Sequence, residues 1–233
     1  MNNWIAALLT LVLSLVWLRL MDFAAHRGWI ESRLSRKIIH IGTGPLFVLC
    51  WLLFNDAPEA RWLAAAVPML ITIQFILIGF GIIKDEASVR AMSRTGDRRE
   101  ILRGPLYYGI AFILLTLLFW KNSPIGMTAL MLMCGGDGIA DVIGRRVSSP
   151  KLPWSRDKSV AGSASVLIGG FLMSAFILWT YVTVRVFPAP FSGYLTPLLI
   201  LALAAAAVES LPFRDVDNLT VTFVAAVAGL FLF

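Results

Sequence analysis

Charge is what this sequence has little of. Only 15% of its 233 residues are Asp, Glu, Lys or Arg, 58% are hydrophobic, and the mean hydropathy is +0.80. A water-soluble domain carries roughly a quarter charged residues, so this chain has too little polar surface to face water on every side. Cysteine is equally scarce: Cys50 and Cys134 each stand alone in apolar stretches, with no second Cys or His at ligand spacing. Neither a disulfide framework nor a zinc module is available from that pattern. The phosphate-loop pattern G-x-x-x-x-G-K-[ST], the Gly-x-Ser-x-Gly nucleophile turn and the His-Glu-x-x-His metal helix are all missing. Gly136-Asp137-Gly138 does not complete a dinucleotide fingerprint, because Asp141 stands where the last glycine belongs. Phosphate chemistry in this chain would therefore not be that of a Walker-type or soluble kinase fold.

Long apolar runs are what the sequence has in abundance. A bilayer core takes about 20 predominantly apolar residues per helix, and the pattern predicts spans at about 3–20, 38–54, 62–83, 105–120, 125–143, 160–184, 193–211 and 218–233. The expected fold is an all-α polytopic membrane bundle of about seven or eight helices, forming one membrane domain over residues 1–233. No internal repeat, low-complexity tract or soluble domain boundary interrupts it. Nothing basic precedes the first run, whereas Arg19, Arg27, Arg33, Arg36 and Lys37 follow it. A secretory signal has the reverse order, so the first run reads as a retained anchor with its N-terminus outside. The segments around 84–104 and 144–159 are too polar to lie in lipid.

The basic residues test this division. Seventeen of the twenty Lys and Arg residues fall in the odd-numbered loops, and Arg61, Lys121 and Arg185 are alone in the even ones. Basic loops stay on the cytoplasmic side, so the odd loops are expected there, with both termini outside. Topology then accounts for the net charge of +6 and the pI near 9.7. Nucleic-acid binding, the other use of a basic chain, loses its support.

Several polar constellations sit at the cytoplasmic ends of these spans. Asp137 and Asp141, beside Gly136, Gly138 and Gly144, are four residues apart and share one face of a helix. Carboxylates at membrane depth are expensive and mark a function or an ionic partner. This pair suits Mg²⁺ with phosphate and water as further ligands, or else pairs with Arg145 and Arg146 to hold helices together. Lys158-Ser159, before Val160-Ala161-Gly162, stands at a helix N-terminus whose spare N–H groups and lysine suit an anion; an ordinary basic loop end is the alternative. Arg36, Lys37 and His40 form a basic stripe, read either as a phosphate contact and proton relay or as structural. Arg98 and Arg99 lie in an Arg-dense segment that suits phosphate or a solvated interfacial helix. Glu209, followed by Asp217-Asn218, adds acid to the same face.

These residues, taken in order, resemble the phytol kinase branch of the polyprenol kinase family. The resemblance rests on Arg36-Lys37-x-x-His40-x-x-x-Gly44, Ser93-Arg94-x-Gly96-Asp97-Arg98-Arg99-Glu100 with Gly104-Pro105, and Gly136-Asp137-Gly138-x-Ala140-Asp141-x-x-Gly144-Arg145. It continues in Lys151-Leu152-Pro153, Lys158-Ser159-x-Ala161-Gly162-Ser163 and Glu209…Asp217-Asn218-Leu219-Thr220. Val160 departs from the aromatic residue usual there, and Val221-Thr222 from the common Val-Pro. The resemblance implies CTP (or UTP) as phosphoryl donor, Mg²⁺ or another divalent cation, and an isoprenoid alcohol such as phytol, farnesol, geranylgeraniol or a polyprenol as acceptor. In that reading Asp137 and Asp141 hold the metal, and Lys158, Arg145 and Lys37 neutralise the transferring phosphoryl group. Asp141, Glu209 or His40 accepts the alcohol's proton. Arg36, Arg98, Arg99, Gly136, Gly138, Lys151, Ser159, Gly162 and Asn218 complete the nucleotide and phosphate contacts. A CTP:lipid-phosphate cytidylyltransferase is the nearest alternative, and a carrier using the Asp pair the third; carriers place such acids near mid-membrane.

Overall fold

The computed structural model describes residues 1–93, 95–212 and 216–233, with the side chains of Ser32 and Arg145 outside the described set. The chain is a helical, polytopic membrane protein that divides into two compact units, Met1–Leu117 and Leu118–Phe233. Among the described residues, seven helical stretches are long and apolar enough to cross a membrane, and the last helix, Asp217–Leu232, is apolar but shorter.

In the first unit, α1 (Asn3–His26) is inside-out relative to a soluble helix. It buries Asn3, Ala6, Thr10, Ser14 and Asp22, while Trp4, Leu8, Val12, Val16 and Leu20 point outward. Lipid is as apolar as leucine, so large side chains gain nothing by turning inward, and small or polar residues make the helix contacts. The helix begins where the Asn2 side chain accepts the Trp4 N–H at 2.8 Å. It runs past the expected end near residue 20, to His26. α2 (Ser32–Cys50) and α3 (Ala60–Phe80) follow, with Pro45 and Pro68 inside them. The Thr72 hydroxyl donates to the Pro68 carbonyl at 2.6 Å, one turn back on the same helix. α3 stops at Gly81, whose φ of +79° favours glycine.

The polar stretch after α3 contains a short helix, α4 (Glu86–Met92), and a 3₁₀ turn, Arg98–Leu102, before α5 (Gly104–Leu118). Asp85 caps α4: its carboxylate accepts the Ser88 N–H at 3.0 Å and the Ser88 hydroxyl at 2.9 Å. Burial pushes the Asp85 pKa up, but these bonds and Arg19, 3.2 Å away, outweigh it and hold the group below its ordinary value. Ile39, Ile78, Ala91, Met92 and Ile101 form an apolar cluster that seats α4 and the 3₁₀ turn on the longer helices.

The second unit is built round one broken span. α6 (Pro124–Met131) opens with Pro124 at its first turn and Ser123 as cap. A π-helical turn over Leu132–Asp137 follows, and then α7 (Gly138–Arg146). Of the best apolar window in Pro124–Gly144, 72% is buried, against 17% in α1. The broken span is therefore the enclosed centre of its unit, with α8 (Val160–Thr183), α9 (Ser192–Glu209) and α10 (Asp217–Leu232) about it. A π turn is uncommon and accompanies functional sites; this one ends on Asp137.

Glycine sets how closely α8 approaches the π turn. A methyl group at Gly169 would stand 2.7 Å from the Gly135 carbonyl oxygen, and one at Gly136 3.0 Å from Val166 Cγ1. Only bare backbone fits between these elements. The loop expected over 144–159 contains an antiparallel hairpin, β1 (Lys151–Leu152) and β2 (Ser155–Ser159), with Lys151 opposite Ser159. Lys-Leu and Ser-Arg-Asp-Lys-Ser carry no helix-forming apolar face, and Pro153-Trp154 supplies the turn.

Candidate active site

Four charged side chains of the second unit converge where its helices end. Asp137 stands at the junction of the π turn and α7, Glu209 is the last residue of α9, and Asp217 opens α10. One carboxylate oxygen from each lies within 4.8 Å of the others. Lys158, near the end of the hairpin, donates to Glu209 Oε1 and also to Asp217 Oδ2 at 3.1 Å. Glu209 is only 6% exposed, so its charge has lost most of its water, and a paired cation is the condition for keeping it ionised. Burial works against the charge of the Lys158 amine. The Glu209 carboxylate, and after it Asp217, outweigh that and hold the lysine above its ordinary pKa of 10.5.

The hairpin fixes where Lys158 emerges. Its exposed tip residue Trp154 donates its indole N–H to the Ser210 carbonyl at 3.2 Å and the Ser210 hydroxyl at 3.3 Å. That bond ties the hairpin to the residue following Glu209. At the other end, Ser159 caps α8 by accepting the Gly162 N–H at 3.2 Å. The Val160 N–H donates to the Pro150 carbonyl and the Ala161 N–H to the Ser149 hydroxyl. These bonds close the three amide groups that the sequence left open to an anion, because the hairpin folds back over the helix start. Ser159 thus acts as a cap here, and Gly162 lets α8 cross α7, its Cα 3.4 Å from where a methyl group at Gly144 would be.

The sequence paired Asp137 with Asp141 by helical spacing. The structure brings Asp137 together with Glu209 and Asp217, and Asp141 lies in the first turn of α7, partly buried. The reason is tertiary: Asp137 ends a π turn, and the ends of α9 and α10 bring their acids to it. Asp217 is the member that spacing alone did not single out, although it follows Glu209 in the motif. Gly136 is buried in the π turn and Gly138 at the start of α7, Asn218 occupies the first turn of α10, and Lys151 is exposed on β1. The side chain of Arg145 lies outside the described residues, as does Arg94.

Arg36, Lys37, His40, Arg98 and Arg99 belong to the first unit. Arg36, Lys37 and His40 follow one another along α2, where the His40 carbonyl accepts the Tyr108 hydroxyl at 2.8 Å and the two rings lie 4.6 Å apart. Arg98 and Arg99 open the exposed 3₁₀ turn, and Arg98 lies against Gly81 at the C-terminus of α3. A guanidinium suits that negative helix end.

Three carboxylates form an all-oxygen donor set of the kind that Mg²⁺ or Ca²⁺ takes. A cation already sits among them in the form of the Lys158 ammonium, so the charge balance of the group calls for positive charge. The residues fit a divalent ion: they would supply three ligands and leave other positions to phosphate and water.

The chain is 43% identical to a probable phytol kinase 1, chloroplastic, of Oryza sativa subsp. japonica over 217 residues, which span 92% of this chain and 69% of that protein. A probable chloroplastic phytol kinase of Triticum aestivum is 41% identical over 92% of this chain and 72% of its own length. The chloroplastic farnesol kinase of Arabidopsis thaliana is 39% identical over 89% of this chain and 68% of its own. No family model and no solved structure matches the chain. Identity of about 40% over nine-tenths of the chain means that the chain belongs to the family of the phytol and farnesol kinases.

Proposed function

We propose that this protein phosphorylates an isoprenoid alcohol, using CTP (or UTP) and a divalent cation, at the cytoplasmic face of the membrane. The observation that carries the reading is the convergence of Lys158, Asp137, Glu209 and Asp217 where α9 ends, α10 begins and the Pro124–Gly144 stretch breaks. A lipid alcohol keeps its tail in hydrocarbon and its hydroxyl at the water boundary, so the reacting group and a water-borne nucleotide meet only at such an end. Asp137 lies seven residues before the end of the Pro124–Gly144 stretch, roughly 10 Å at 1.5 Å per residue. The names of the relatives supply phytol and farnesol as the acceptor class. The bias of seventeen basic residues to the odd loops supports the cytoplasmic side.

Phosphoryl transfer needs positioning and charge stabilisation more than covalent help. A bound divalent cation supplies charge neutralisation on the nucleotide phosphates. Asp137, Glu209 and Asp217 would hold it, and Lys158 would meet charge on the phosphoryl group in transfer. Trp154 keeps the hairpin, and with it Lys158, in place over α9. Glu209 or Asp141 takes the proton from the acceptor hydroxyl, and His40 enters the reading from the motif match. Arg36, Lys37, Arg98, Arg99 and Arg145 enter the reading from the motif match.

The test is a γ-phosphate-labelled CTP assay on purified protein with phytol, farnesol, geranylgeraniol, a dolichol and phosphatidic acid as acceptors, repeated with UTP and ATP. Label transfer to an isoprenoid alcohol with release of CDP is the expected outcome. Pyrophosphate release with phosphatidic acid would replace the kinase reading by cytidylyl transfer.

A further inference from the structure

We propose that the Lys158 ammonium is the placeholder for the reaction's divalent cation and leaves Glu209 and Asp217 when that ion enters. The proposal rests on the kinase reading above and concerns what the lysine does before the nucleotide arrives. Lys158 bonds two of the three carboxylates that form the candidate ligand set. One oxygen from each acid lies within 4.8 Å of the others, close enough for a single ion to gather all three. The ammonium bonded to Glu209 and Asp217 lies between two of the same carboxylates, so it and the ion compete for one space.

The backbone around Lys158 is held, so only its side chain has to move. Ser159 caps α8, Lys151 pairs with Ser159 across the hairpin, and Trp154 is bonded to Ser210. Four rotatable carbons let the amine move several ångströms on that fixed strand. Lys158 thus keeps Glu209 and Asp217 compatible while no ion is bound, and on leaving them becomes available to the anion that the ion brings.

The experiment uses the full chain in detergent micelles without nucleotide. Reductive methylation of Lys158, read by mass spectrometry against exposed Lys151 of the same hairpin, is followed with Mg²⁺ and with NaCl at equal ionic strength. Mg²⁺ is expected to raise the Lys158-to-Lys151 labelling ratio on the order of tenfold, as a buried population becomes a released one. An unchanged or lowered ratio, at Mg²⁺ concentrations that displace bound Mn²⁺, overturns the proposal. Mn²⁺ binding by electron paramagnetic resonance is the second readout. K158M should bind Mn²⁺ about tenfold more tightly than wild type, and K158R close to wild type. Equal affinity in K158M and wild type also overturns it. Failure of the metal reading is a separate result: wild type would then bind no Mn²⁺ that D137N lacks, and the placeholder role would fall with it. The wild-type labelling stands even if K158M does not fold.

Discussion

Glu209→Gln and Asp217→Asn, made singly and together, test whether Lys158 is shared between the two acids. Each substitution keeps the side chain's shape and an acceptor oxygen while removing a charge. In either single variant Lys158 retains one carboxylate. A charge-assisted bond exceeds a neutral one by about 1 kcal/mol, so each single change is expected to destabilise by about that amount. E209Q should be the larger, because Glu209 is 5% exposed at its side chain against 22% for Asp217. In the double variant the half-buried ammonium, 18% exposed, has no carboxylate among its two hydrogen-bond partners. Its desolvation is then uncompensated, and the double change should exceed the sum of the singles by about 1 kcal/mol or more. Unfolding free energy by detergent-titrated denaturation of the purified protein reads the cycle. Strict additivity would refute a shared lysine and, with it, the geometry of the site.

Asp137→Asn should abolish kinase activity and Mn²⁺ binding while the helical circular dichroism stays at wild-type strength; wild-type turnover would remove Asp137 from the site. Gly169→Ala should destabilise by about 1–3 kcal/mol, because the added methyl meets the Gly135 carbonyl at 2.7 Å, and a neutral effect in the same denaturation would show that α8 is not held that closely. Trp154→Phe keeps the ring but loses both bonds to Ser210, and should lower kcat roughly tenfold by loosening the hairpin, with little change in thermal stability. The Lys158 pairing raises that group's folded pKa, so its stabilisation is fully present below 10.5 and is lost as pH rises through the higher folded value. Alkaline titration of unfolding should show this loss in wild type and not in K158M.

Much of the architecture is legible without coordinates because a bilayer imposes a one-dimensional code. Each span must carry its own run of apolar residues, and each loop its own charge, so spans and basic loops can be read along the chain. The broken fifth span was only half legible: its apolar run predicts one helix, but the π turn over Leu132–Asp137 depends on how α8 presses its glycines against Gly135 and Gly136. The hairpin of Lys151–Ser159 reads as loop in the sequence, since two short strands of polar residues leave no periodic signal.

Sequence alone determined the membrane class, the polar segments and the identity of the charged residues, because those follow from composition and local spacing. It also placed Lys158 and Glu209 among the candidates. Tertiary structure decided which acids belong together. Helical spacing joins Asp137 to its neighbour Asp141, whereas packing at the ends of α9 and α10 joins it to Glu209 and Asp217. It decided, too, that the first amides of α8 are closed by Ser149, Pro150 and Ser159, which left the lysine rather than the helix end as the cationic group of the site. Electrostatic partners are chosen by distance in space, and in a helical bundle that distance is set by which backbones can approach, not by separation along the chain.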